Sequence, residues 1–214
     1  MIIHFLSERI MTAKRVTIKE RTNGKYEAIL RAAIKVFARG GFFNSKVADV
    51  ASEAGVADGT VYLYFKNKDD ILVSIFNHFM DLALAKGRAS LAEVDDPREK
   101  FRRIVYGHLE SLGRDRDLAV VFQVELRSSS KFMEQFSATK VTEYLELIRG
   151  VIEEGQRKGI FRKSLNAQIV SKILFGALDE MVTNWVLSKK RYNLISTAEE
   201  VINIFVGGLA TDRK

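Results

Sequence analysis

Cysteine is absent from the 214 residues, proline occurs once, and histidine occurs three times, as His4, His78 and His108. Without cysteine there can be no disulfide framework, no thiolate metal site and no thiol redox sensor, which agrees with a reducing cytoplasm. A single proline among long uninterrupted helical periods argues against a β-rich fold. No apolar run reaches the roughly 18 residues of a membrane span. The leading MIIHFLSERI is too short for a secretion signal and lacks a cleavage pattern; with Met11 following it, these ten residues read as an upstream start. There is no Gly-x-Ser-x-Gly elbow, no glycine-rich phosphate loop and no cluster with metal-ligand spacing, so catalysis and a resident metal or cofactor have no candidates.

What is present is a chain of 47% hydrophobic and 29% charged residues, enough to bury a sizeable core. The formal charge of +7 is unevenly placed. Residues 1–46 carry 10 Lys or Arg against 3 acidic residues, whereas residues 47–214 carry 24 of each sign. Lys14, Arg15, Lys19 and Arg21 form an expected mobile basic arm over residues 1–22, suited to neutralising phosphates if a nucleic-acid reader follows.

Such a reader does follow. In SKVADVASEAGVADGTVYLYF, residues 45–65, Val47, Val50, Ala51 and Ala54 recur at helical spacing. Ser45 is expected to cap that helix and Gly55 to end it in the left-handed conformation. A second helix is expected from Asp58 through Tyr64, with Val61 and Tyr64 or Phe65 inward and Asp58, Gly59, Thr60, Tyr62 and Leu63 outward. This is the spacing of a helix-turn-helix, though an ordinary helical hairpin shares it. A preceding helix from about Gly24, with Ile29, Ala32, Ala33, Val36 and Phe37 on one stripe and Gly40 and Gly41 stopping it, would complete a three-helix domain over residues 23–66.

Residues 67–214 read as a larger helical domain. Asn67 caps a long helix whose stripe is Ile71, Leu72, Ile75, Phe76, Phe79, Leu82 and Ala83. Asp96-Pro97-Arg98-Glu99 opens the next with a cap and a proline at its first position. Leu118 to Leu126 is apolar nearly all round, as for a central helix. A helix then runs through Tyr144 to Ile152 and stops near Gly159, and another from Asn166 to Leu187 puts Ile169, Val170, Ile173, Leu174, Leu178 and Trp185 on its apolar side. Ser196 and Glu199 are placed for a capping box on the last helix. The expected fold is all-α with about nine helices.

The head, GFFNSKVADVASEAGVADGTVYLYFKNKDDIL, resembles the DNA-binding domain of TetR-family transcriptional regulators, and DLAVVFQVELRSS with FGALDEMVTNWVLSKKRYNL resembles the fatty-acid-degradation repressors of Bacillus-type bacteria. The resemblance implies that Ser45, Lys46, Gly59, Thr60, Tyr62 and Lys68 meet a double-stranded DNA operator. Ala57 and Asp58 stand where many relatives carry Ser and Lys or Arg. An acid there repels phosphate, so Asp58 is expected to cap the helix or to accept from a cytosine amino group. Tyr64 is a further phosphate candidate, by spacing better suited to the core.

It also implies a homodimer, since one head reads only a few base pairs and two must reach half-sites about 34–36 Å apart. Gly176, Ala177, Gly207, Gly208 and Ala210 on the last two helices suit close helix approach, between subunits or within one. The effector implied is a long-chain acyl-CoA. Phe79, Phe101, Val105, Leu109, Phe122, Leu126, Phe132, Phe136, Phe175, Leu178, Val182 and Trp185 would line its apolar tunnel, and His108, Arg127 and Asn184 would meet its thioester or phosphates. Filling the tunnel would shift the helix at Phe101 to Leu112, tilt the helix after Asn67 and move the heads apart. Another hydrophobic effector, such as a multidrug-type cation held by Glu125 or Asp179, is the alternative.

Overall fold

The structure is a computed structural model and describes residues 24–128 and 140–210. The basic arm, Phe132 and Phe136 lie outside the described residues. Among those described there are nine α-helices and no strand, only an isolated bridge between Phe161 and Ala210.

The chain divides into two compact units, residues 1–75 and 76–214, so the division falls inside a continuous helix. In the first unit, α1 spans residues 24–40 and ends where Gly41, at φ 76°, turns the chain. Ile29, Leu30, Ala33, Ile34 and Phe37 form its buried face. Helix α2 is Val47–Ala54 and α3 is Asp58–Tyr62. Gly55 sits between them at φ 67°, and its N–H and that of Val56 return to the carbonyls of Ser52 and Ala51, closing the end of α2 as expected. Val50, Ala51, Val61 and Phe65 are buried in the angle.

Helix α4, Lys68–Ala92, carries Ile71, Leu72 and Ile75 into the core of the first unit. Its start is reciprocal: Asn67 Oδ1 accepts from the N–H of Asp70, and the Asp70 carboxylate accepts from that of Lys66.

The second unit is built around α5, Pro97–Gly113, capped by Asp96 on the N–H of Arg98 at 3.0 Å. Around it lie α7, Lys140–Arg157, α8, Ala167–Leu187, capped by Asn166, and α9, Ala198–Leu209. Phe101, Val105, Leu109, Ile148, Ile152, Phe161, Leu174, Leu178 and Val182 make its core. The central segment is not one helix. Helix α6 covers Arg116–Val120, a π-helical turn Val121–Glu125 and a 3₁₀ turn Leu126–Ser128 follow, and this changing pitch leaves Val124 exposed while turning Gln123 inward.

Other local expectations are displaced by longer-range contacts. The Ser196–Glu199 capping box does not form: Thr197 occupies the N-cap position, and the Glu199 carboxylate accepts from Arg102 and, at 2.6 Å, from Tyr106 on α5. Arg102 and Tyr106 hold the Glu199 carboxyl well below the usual range, at about 2. Leu82 on α4 and Ile169 and Ile173 on α8 belong to the expected apolar stripes of their helices but are exposed.

Candidate functional site

The helix pair of the first unit presents a mostly uncharged outer face. Ala57, Asp58, Gly59, Tyr62 and Leu63 are exposed and Thr60 is half-exposed, as the periodicity predicted. Leu63 keeps helical dihedrals past the end of α3, so Gly59, Tyr62 and Leu63 share one face at spacings of three and four. Asp58 does not cap this helix. It is the first helical residue, Ala57 precedes it in extended conformation, and no side-chain cap is made. Its carboxylate instead sits at the positive end of α3.

Two of the predicted contacts, Ser45 and Lys68, are rearranged. Ser45 is buried; its hydroxyl donates to the carbonyl of Gly41 at 2.7 Å, and Lys46, not Ser45, occupies the N-cap position of α2. The Ser45 side chain therefore fastens the end of α1 and does not face outward. Lys46 is exposed, and its backbone N–H donates to Asp49 at 2.7 Å. Lys68 turns inward: its ammonium donates to the carbonyls of Phe42 at 2.6 Å, Ser45 at 2.9 Å and Phe43 at 3.1 Å, and lies 4.5 Å from the Phe42 ring centroid. An ammonium has three protons, and here three carbonyls take them. Lys68 thus fixes the loop that delivers α2 instead of presenting a free charge to phosphate. Tyr64 is half-buried and leans on Tyr26 and Phe65.

The predicted ligand residues of the second unit fall into separate groups. Phe101 is edge-on to Phe161 and tilted against Phe205, and with Val105, Leu109, Leu178 and Val182 it has no exposed surface. Those side chains fill the core against one another. Trp185 is tied to the end of α8, where its indole N–H donates to the carbonyl of Tyr192 at 2.9 Å. Arg116 stacks 5.0 Å from its ring while donating to the carbonyls of Trp185 and Val186. Arg116 caps this C-terminus, a role without a local sequence signal. Phe122 packs on Phe76, Phe79 on His78, and Leu126 is buried.

A third group is polar and lies inside. His108 on α5 meets the hydroxyl of Tyr144 on α7 through Nδ1 at 3.1 Å, and both rings touch Phe175 on α8. His108 as a residue is half-buried, but its Nε2 is sealed and has no partner among the described residues. Burial pushes the imidazole down to about 4, only partly opposed by the Asp179 charge, and raises the Tyr144 phenol, so both are neutral at pH 7. Beside them Gln123 donates to Asp179 at 3.0 Å and accepts from Thr183 at 3.0 Å, and Arg127 pairs with the second Asp179 oxygen. Asp179 is thus already paired with Arg127. Asn184 is exposed and bonds back to Glu180 on its own helix, away from this group. Gln123, Tyr144 and Thr183 were missed by sequence reasoning. Only the polar interruption of LAVVFQVEL hinted at Gln123.

Known proteins match both units. Bacterial regulatory proteins of the tetR family match residues 29–75, and the C-terminal region of YsiA-like proteins matches residues 76–208, so the two matches meet where the structure divides. The fatty acid metabolism regulator protein of Bacillus subtilis is 36% identical over 185 residues, 86% of this chain and 95% of that protein. Among solved structures, the fatty acid degradation regulator FadR of Bacillus halodurans superposes with a TM-score of 0.81 at 38% identity, covering 86% of this chain and 99% of the other. The transcriptional regulator FadR of Bacillus subtilis, solved in complex with stearoyl-CoA, gives 0.81 at 35% identity, covering 86% and 98%.

Proposed function

From the premise that the chain belongs to the TetR family of bacterial transcriptional regulators, we propose that it represses fatty-acid-degradation genes and leaves its palindromic operator when a long-chain acyl-CoA occupies the second unit. The observation that carries this reading is likeness over 86% of the chain to a regulator solved with stearoyl-CoA. The chemistry of the interior supports it. His108 and Tyr144 are neutral, hydrogen-bonding groups set among aromatic rings, which suits the carbonyl of an acyl chain better than a formal charge.

Operator binding requires two heads. The outer side of α8 and α9 supports a homodimer through these helices: Ile169, Ile173 and Ile204 are exposed there, and a methyl added to Gly176, Gly207 or Gly208 would meet nothing within 4 Å among the described residues. No described helix is long and apolar enough to cross a membrane, and a regulator of genes in a bacterium acts in the cytoplasm. An effector alters DNA affinity only by binding one state of the dimer better than another. The test is to select duplexes from a randomised pool with the full chain and titrate stearoyl-CoA, free CoA and free stearate into the complex. Release by stearoyl-CoA alone is expected. Retention at saturating stearoyl-CoA would sink the effector assignment and leave DNA binding standing.

A further inference from the structure

The outward set on α3 and its exit is Ala57, Asp58, Gly59, Thr60, Tyr62 and Leu63, and it contains no Arg, Lys, Asn or Gln. Those four types make the paired hydrogen bonds by which guanine and adenine are read in the major groove. The apolar feature of that groove is the C5 methyl of thymine. Leu63 is 82% exposed, the most exposed large hydrophobic side chain described, and it adjoins Tyr62 at 55% on the same turn. A solitary exposed leucine needs no explanation, but here it stands beside an open helical glycine, a feature shared with Gly107 and Gly150 and with Gly176, Gly207 and Gly208, none of which has an exposed large apolar neighbour on a reader helix. Gly59 lies one turn before Leu63, its φ is not positive, and a Cβ built there meets nothing within 4 Å. A helical glycine costs stability, and neither conformation nor packing against the described residues requires one here. The open space above Gly59 suits close approach by another molecule, and Leu63 stands at its edge.

We propose that Leu63 is a sequence-determining contact of this head: Gly59 lets the helix approach the base edges, and Leu63 covers the methyl of one thymine in each half-site. The inference rests on DNA binding by the head and is independent of the effector.

The duplex recovered from a randomised pool by the full chain is resynthesised with deoxyuridine in place of each thymidine in turn, which removes only the methyl group. Wild type is expected to lose about fourfold in affinity at one thymine per half-site, the worth of one buried carbon. Leu63→Ala should bind the thymine duplex correspondingly more weakly and be indifferent to deoxyuridine at that position, while Leu63→Met, still apolar, should keep the discrimination. Because the side chain is in solvent, both variants should unfold at the wild-type temperature. The proposal is overturned if Leu63→Ala keeps the wild-type preference for thymidine at every position, or if no thymine methyl in the recovered duplex matters. Failure of the wild-type chain to bind any duplex would instead overturn the DNA-binding reading beneath it.

Discussion

Two helical glycines separate the two units by what each needs the residue for. In α7 Gly155 is buried, and a methyl group there would lie 2.0 Å from Cδ2 of Phe161, a ring with no exposed surface. In α3 Gly59 is exposed, and the same methyl would meet nothing. The described fold accounts for the first glycine and not for the second, which is where the proposed DNA contact enters. The contrast extends to their surroundings, for the second unit places polar groups inward, at His108, Gln123 and Tyr144, while the first places Tyr62 and Leu63 outward. Residues that the fold explains set stability; those it leaves unexplained mark where another molecule comes in.

The largest expected effect breaks the inner half of this contrast. Gly155→Ala should destabilise the chain by about 3 kcal/mol, the upper end of ordinary overpacking, because the Phe161 ring cannot withdraw without opening the core around Phe101. Urea unfolding measures it, and an unchanged midpoint would mean that the ring has room to swing aside. Next comes Lys68→Met, which removes three charge-assisted hydrogen bonds and leaves carbonyls near Ser45 unpaired. A loss of about 2 kcal/mol is expected. Were Lys68 chiefly a phosphate contact, stability would hold and the salt dependence of DNA binding would fall by about one counterion.

His108 sharpens the comparison through pH. Its folded-state value, about 4, lies below the 6.5 of an unperturbed imidazole. Above 6.5 neither state binds the proton and His108 contributes no pH dependence. Between 6.5 and 4 the unfolded chain is protonated and the folded chain is not, so stability falls as pH falls, and below 4 the effect levels off. About 2 kcal/mol should be lost between pH 7 and pH 5. In His108→Asn that part of the slope should vanish; a slope matching wild type would place the titrating group elsewhere.

Much of this architecture is legible in the sequence where hydrogen bonds are local. Asn67 and Asp96 cap the helices they precede, Gly41 and Gly55 turn the chain at positive φ, and the stripe on α1 is buried at Ile29, Ala32, Ala33 and Phe37, with Val36 half-buried. What was not legible depends on partners far along the chain. Glu199 satisfies the capping-box pattern, but Arg102, 97 residues away, competes for the carboxylate and wins. Lys68 carries no sign in its neighbours that its charge is taken up by a loop 23 to 26 residues earlier. The exposure of Ile169 and Ile173 is invisible to periodicity, which cannot tell a core-facing stripe from one facing a second subunit. Of the candidate interface, the outward face of α3 was read in advance because one turn of helix settles it. The His108–Tyr144 pair was not, because it joins α5 to α7.

The smallest expected change in stability tests the outer half of the contrast most sharply, because its two readouts should move in opposite directions. Gly59→Ala adds a methyl where the chain has room and removes the conformational freedom of a helical glycine, so the folded state should gain about 0.5 kcal/mol. The same methyl would stand between α3 and the base edges. Affinity for the selected duplex should fall about tenfold, equivalent to about 1.4 kcal/mol. A destabilised variant that binds less well would show only that the helix was damaged. A stabilised variant that binds as tightly as wild type would show that nothing approaches Gly59, and Leu63 would then lose the neighbour that distinguishes it from any other exposed leucine.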